Sequence, residues 1–133
     1  MLLRKLPGWV ALLVLVGHVY AIEPQTGPVI KAYGPVYDVP DGSWNLKKDS
    51  PYKVSMDVSA TGEFSGELNR RIESAARFLN LHARNGVDPK NIQFAIVVHG
   101  SAGKDLLTDA AHDARFDMPN PNTAMLAALH HAG

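Results

Sequence analysis

Two short runs of opposite character bracket one stretch of helical period, and their order leaves few folds open. Residues 52–60 (YKVSMDVSA) alternate: Tyr52, Val54, Met56 and Val58 point one way, and Lys53, Ser55, Asp57 and Ser59 the other. Period two with β-branched residues predicts a strand with one buried face. Residues 91–98 (NIQFAIVV) are almost continuously apolar, the pattern of a central strand covered on both faces. Between them, residues 66–85 set Leu68, Ile72, Ala75, Ala76, Leu79 and Ala83 on one helical stripe. Arg70, Arg77, Arg84 and an expected exposed Leu81 fall on the opposite side. Gly86 stands where a left-handed C-terminal cap belongs. Strand, helix and strand in this order form a βαβ unit, so the two strands are expected to run parallel.

Residues 104–116 predict a weaker helix with Leu107, Ala110, Ala111 and Ala114 facing inward, stopped by Pro119 and Pro121. Asn122 or Thr123 is expected to cap a last helix over 123–132, carrying Met125, Leu126 and Leu129 inward. In an alternating α/β chain, a helix closed by a residue such as Gly133 leads into another strand. Two strands are few for an independent sheet, so C-terminal strands are expected to be missing. The alternative is a complete small domain whose last helix simply ends. Residues 52–133 are thus read as an incomplete α/β domain. Residues 22–51, rich in Pro, Gly and Asp, are read as an extended arm docked through Val36, Val39 and Trp44.

Residues 1–21 have the pattern of a secretory signal peptide: Arg4 and Lys5, the apolar run VALLVLV, and Val19-Tyr20-Ala21 before a cleavage point. An uncleaved membrane anchor is the alternative, though the run is short of the roughly 20 residues that span a bilayer. Cleavage near Ala21 would give a periplasmic or secreted protein with no membrane attachment. The 13 basic and 13 acidic side chains balance, which offers nothing to a phosphate backbone and argues against a nucleic-acid partner. The 133 residues contain no cysteine, which removes disulfides, thiolate metal ligands and a thiol nucleophile from them.

Ligands of open α/β sheets bind beyond the carboxyl ends of the strands. His99-Gly100-Ser101-Ala102-Gly103-Lys104 follows the second strand, and its glycines allow backbone N–H groups to turn toward an anion. The candidate ligand-binding residues are therefore His99, Gly100, Ser101, Gly103 and Lys104, with Asn120 and Asn122 from the NPN segment. A plain strand-to-helix turn and a simple stop-and-cap are the competing readings. Ser101 with Asp109 and His130 could be named as a hydrolase triad, but nothing in the sequence brings them together. The histidines lack H-x-x-x-H spacing, so no metal is expected; no cofactor is implied. His82 reads as a packed residue at the core edge.

The run ARFLNLHARNGVDPKNIQFAIVVHG, with NPN at 120–122 and a helix ending Ala132-Gly133, resembles the DsrE/DsrF-like family over about Tyr52 to Gly133. The resemblance is closest to secreted members with a Gly-Pro-rich N-terminal arm. It implies a flavodoxin-like three-layer α/β/α fold with a mainly parallel sheet, assembled into homo-oligomers. Sulfur-relay members pass sulfane sulfur to a partner protein on a cysteine that commonly lies beyond the next strand, after the position of Ala132-Gly133. No catalytic residue can therefore be carried over to this chain. A small-anion-binding or oligomerisation module is the alternative function.

Overall fold

The computed structural model describes residues 22–39 and 46–133. The leader at 1–21 and Trp44 lie outside the described residues. Two strands, β1 (Tyr52–Val58) and β2 (Ile92–Val98), form a parallel pair in direct register, from Tyr52 beside Ile92 to Val58 beside Val98. Helix α1 (Arg70–Arg84) connects them; α2 (Asp109–Phe116) and α3 (Thr123–His131) follow. The chain is a mixed α/β structure with a parallel sheet.

Helix α1 begins later than its apolar stripe suggests. Gly62 and Gly66 precede it, and Asn69 supplies the cap: its Oδ1 accepts the N–H groups of Arg71 at 2.9 Å and Ile72 at 3.3 Å. The helix closes in a Schellman arrangement. Gly86 takes φ +86°, Gly86 N–H donates to Ala83, and Val87 N–H donates to His82 at 3.0 Å. Leu81 is half-buried, not exposed.

The inward residues form two clusters along one face of the sheet. Ile30, Ala76, Leu79, Val87 and Ile92 pack at the amino ends of the strands, and Val58, Ile72, Ala102 and Met125 at the carboxyl ends. Burying an Ile, Leu, Val or Met side chain contributes about 2 kcal/mol, and an Ala methyl less than half of that. The other face carries Lys53, Ser55, Asp57, Gln93, Ala95 and Val97, all exposed. The apolar run of β2 is therefore covered on one side only among the described residues, because α1, α3 and the arm pack on the same face.

The arm is docked by polar bonds as well as apolar ones. Ile30 and Val36 are buried, whereas Val39 is 52% exposed. The carboxamide of Asn80 and the carboxylate of Glu73 bind the arm's backbone at Ile30, Tyr33 and Gly34. Gly34 has φ +66° and lies so near the helix that a Cβ there would stand 2.4 Å from Arg77 N. Only glycine fits both demands.

The single helix expected over 104–116 is two elements. Residues Gly100–Leu106 form a 3-10 segment, and α2 starts afresh after Thr108, whose side chain accepts Ala111 N–H at 3.2 Å. The face of α2 turned inward carries His112; Ala110, Ala111 and Ala114 are exposed. Asn122 precedes α3 but makes no side-chain cap to it.

Candidate functional site

Beyond the carboxyl ends of β1 and β2 three stretches of chain come together. Residues 59–61 leave β1, residues 99–106 leave β2, and residues 120–123 start α3 nearby. The sequence candidates divide here into an exposed rim and a buried centre.

His99 is on the rim. Its Nε2 lies 2.8 Å from Asp57 Oδ2, and both side chains are more than half exposed. In a neutral imidazole, Asp57 selects the Nε2–H tautomer and leaves Nδ1 as an acceptor toward solvent. Gly100 has φ +59° and passes so close to β1's exit that a Cβ would stand 2.8 Å from Ser59 O. Ser101 Oγ donates to the same carbonyl at 3.3 Å and accepts Thr61 N–H at 3.4 Å. Gly103 faces open space.

Lys104 points away from the rim. Its Nζ lies 2.8 Å from Asp105 Oδ1, with only 16% of the side chain exposed. It also sits 5.7 Å from the centre of the Phe116 ring. Asp105 is fully buried and collects two further donors, Thr61 Oγ1 at 3.0 Å and Asn69 Nδ2 at 2.7 Å. A buried carboxylate needs such a complement of donors to remain in place.

Asn120 and Asn122 continue this network. Asn120 Nδ2 donates to the carbonyls of Asp105 at 2.8 Å and Leu107 at 2.7 Å. Its Oδ1 accepts Asn122 N–H at 2.9 Å and Asn122 Nδ2 at 3.1 Å. Asn122 Oδ1 accepts the backbone N–H of Asn69 at 2.7 Å. The two asparagines thus tie the start of α3 to the start of α1 and to the 3-10 segment. Their own polar groups are largely spent on those ties.

The nominal triad has no connection. Ser101 bonds to the exit of β1, Asp109 Oδ1 accepts Thr123 Oγ1 at 2.6 Å, and His130 lies at the opposite end of α3 beside His131. No hydrogen bond joins the three. His82 is packed as its position suggests, with Nδ1 2.8 Å from Phe78 O and its ring stacked on Phe78 at 3.8 Å.

Asp57, Asn69, Asp105 and His112 belong to this region without having been marked by sequence. Asn69 had a usable signal, an Asn between a Gly-containing turn and the apolar stripe. Asp105 follows Lys104 within an apolar stretch, a charge pair that invites burial. His112 is fully buried, with Nδ1 2.8 Å from Met118 O and no partner for Nε2 among the described residues. Nothing in its local sequence distinguishes it.

A shallow cavity of about 380 Å³ lies across the strands, lined by Lys53, Val54, Ser55, Gln93, Phe94, Ala95 and Gly133. Among the described residues no group of three or more His, Cys, Asp or Glu side chains is arranged to hold a metal ion. No helix of the described residues is long and apolar enough to cross a membrane. No family model matches the chain, and neither a curated protein nor a solved structure matches it.

Proposed function

We propose that this chain is an exported assembly module, related to the DsrE-like sulfur-relay domains, that works by presenting its open sheet to a protein partner. One observation carries the reading. At the carboxyl edge of the strands Lys104, Asn120 and Asn122 are bonded to the fold itself, while an entire face of the parallel sheet is bare among the described residues. Unpaired strand edges and an uncovered face favour pairing with another chain. In this proposal the parallel sheet and its helices belong to a three-layer, flavodoxin-like arrangement, in which a second helical layer covers the face that is bare among the described residues. Sulfane-sulfur transfer itself needs a thiol, and these 133 residues hold none.

Export rests on the leader pattern of residues 1–21. Capture of a small anion by the 99–104 turn is the weaker alternative, since the ammonium of Lys104 is engaged by Asp105 and Asp57 adds negative charge beside His99. Sedimentation of the full chain across a hundredfold concentration range separates the two readings. Mass rising with concentration, with no heat on titration with sulfate, supports assembly. A monomer at every concentration that binds sulfate overturns it.

A further inference from the structure

The last turn of α1 closes on Asn85 and Gly86, the one place in the sequence where an asparagine precedes a glycine. Every other asparagine is followed by Leu, Arg, Ile, Pro or Thr. A side-chain amide can be attacked by the backbone nitrogen of the next residue. Glycine, with no Cβ, shields that nitrogen least and lets the backbone turn most freely. In the folded turn both reacting groups are held. Gly86 N–H donates to Ala83 O at 3.0 Å, and Asn85 Nδ2 donates to Leu81 O at 2.7 Å. Val87 N–H, bonded to His82 O at 3.0 Å, locks the turn from beyond. Gly86 is exposed and Asn85 half-buried, so water reaches the site. Helix ends open far more often than the domain unfolds.

We propose that Asn85 is a self-modifying site, at which the chain converts its own side-chain amide to a carboxylate when the C-terminal turn of α1 opens. Opening frees the Gly86 nitrogen from Ala83 and the carboxamide from Leu81. The nitrogen gives its proton to solvent base and forms a bond to Asn85 Cγ. The Cγ–Nδ2 bond breaks, and Nδ2 takes a proton from water and leaves as ammonia. One water molecule then opens the cyclic imide at either of its carbonyls. One product is an ordinary aspartate; in the other the main chain runs through the side-chain carbon and is longer by that carbon. No oxidant, metal or second protein takes part. Both products lose the donor to Leu81 O and set a negative charge at a helix C-terminus, where the helix dipole disfavours it. The side-chain-linked product also moves Gly86 and Val87 away from their acceptors. Val87 is 1% exposed in the cluster that holds Ile30. Arg84, one residue before the site, grips the arm at Gly27 O and Asp38 Oδ1. The modified chain therefore holds its arm less firmly. None of this requires the chain to assemble.

Ageing the full chain at mildly alkaline pH tests the site. Peptide mapping by mass spectrometry should find conversion of amide to acid first at Asn85, and isoaspartyl methyltransferase should label the same peptide. The reaction should run about tenfold faster or more in the urea-unfolded chain, because the folded chain reacts only while the turn is open. Val87→Ala trims the buried anchor of the turn and should raise the folded rate about fivefold by enlarging the open fraction. Asn85→Gln, whose amide carbon lies one methylene further out, should abolish the labelling. The modified chain, separated by ion exchange, should lose its arm to limited proteolysis before the unmodified chain does. Conversion that begins at another asparagine, labelling that survives Asn85→Gln, or a folded chain that never converts at Asn85 overturns the proposal. Equal rates in the folded and unfolded parent, a comparison that stands even where Val87→Ala does not fold, overturn the control by the turn. So does a folded Val87→Ala that reacts at the parent's rate. An arm equally protected in both forms overturns its loosening.

Discussion

Asn80 and Ile30 bond to each other twice: Asn80 Oδ1 accepts the backbone N–H of Ile30 at 2.8 Å, and Asn80 Nδ2 donates back to the Ile30 carbonyl at 3.0 Å. The carboxamide takes the place of a strand partner for the arm. Its Nδ2 hydrogens are also within reach of the carbonyls of Tyr33 and Gly34, each at 3.0 Å. Asn80→Ala leaves a buried N–H and its neighbouring carbonyls unpaired, a cost of about 3 kcal/mol. The urea midpoint should fall accordingly, and limited proteolysis should cut the arm before the domain. An unchanged midpoint would show that the arm contributes nothing to stability.

That contact shows what the sequence could and could not disclose. The alternation in 52–60, the stripe on α1 and the Gly86 cap are local patterns, and each appears in the fold close to where it was expected. Asn80 sits on the buried side of the same helix, yet its partners lie about fifty residues earlier, so no local pattern reveals it. The α2 region misled for a related reason. Alanines at helical spacing resemble an inward face, but Thr108 restarts the helix in a rotation that turns His112 inward instead. At the site, Gly100 takes positive φ beside Ser59 O, a close approach that its sequence position after β2 allows. The engagement of Lys104 by its own neighbour depended on the depth at which Asp105 sits.

Gly34 and Gly27 form a matched pair for testing the arm's approach to α1. Both have positive φ, +66° and +78°. A Cβ on Gly34 would stand 2.4 Å from Arg77 N and 2.5 Å from Ala76 C, whereas one on Gly27 would meet nothing within 4 Å. Gly27→Ala should cost about 1 kcal/mol, the left-handed penalty alone. Gly34→Ala should cost about 4 kcal/mol or detach the arm, since backbone atoms cannot yield. Thermal midpoints of the two variants check the difference.

Glu73 gives the fold a dependence on pH. Burial is the largest influence on its carboxyl and opposes ionisation. Hydrogen bonds from Arg70, the Gly34 N–H and Arg77, with the charge of Arg77, together outweigh burial and hold the group below its ordinary value of 4.5. A carboxyl whose folded value is depressed contributes stability above its unfolded value, and that contribution is lost as pH falls through the folded value. Stability should therefore drop below about pH 4.5 more steeply in the parent than in Glu73→Gln. Urea midpoints at pH 6, 4 and 3 measure it, and parallel curves for the two proteins would refute the assignment.

Asp105 and Lys104 should behave as structural partners. Asp105→Asn removes the charge that holds a mostly buried ammonium and turns an acceptor into a donor facing Asn69 Nδ2. Loss of one member of such a pair costs about 3 kcal/mol. Lys104→Met keeps the stem over Phe116 but strands the fully buried Asp105 carboxylate without its counter-charge, and should cost a similar amount. Calorimetric titration with sulfate should give the same heats for Lys104→Met as for the parent. Weaker binding in the variant would return the 99–104 turn to consideration as an anion site.

Asn69 belongs to several segments at once. Its backbone N–H is held by Asn122 at 2.7 Å, its Oδ1 caps α1, and its Nδ2 reaches Asp105 and the carbonyl of Ala60. Its amide proton therefore cannot exchange with solvent until the beginning of α3 has moved away. Although this amide lies more than fifty residues before α3, its exchange rate is a clock on the detachment of that helix. A slow Asn69 amide would identify α1 and α3 as one cooperative unit, opening together and closing together.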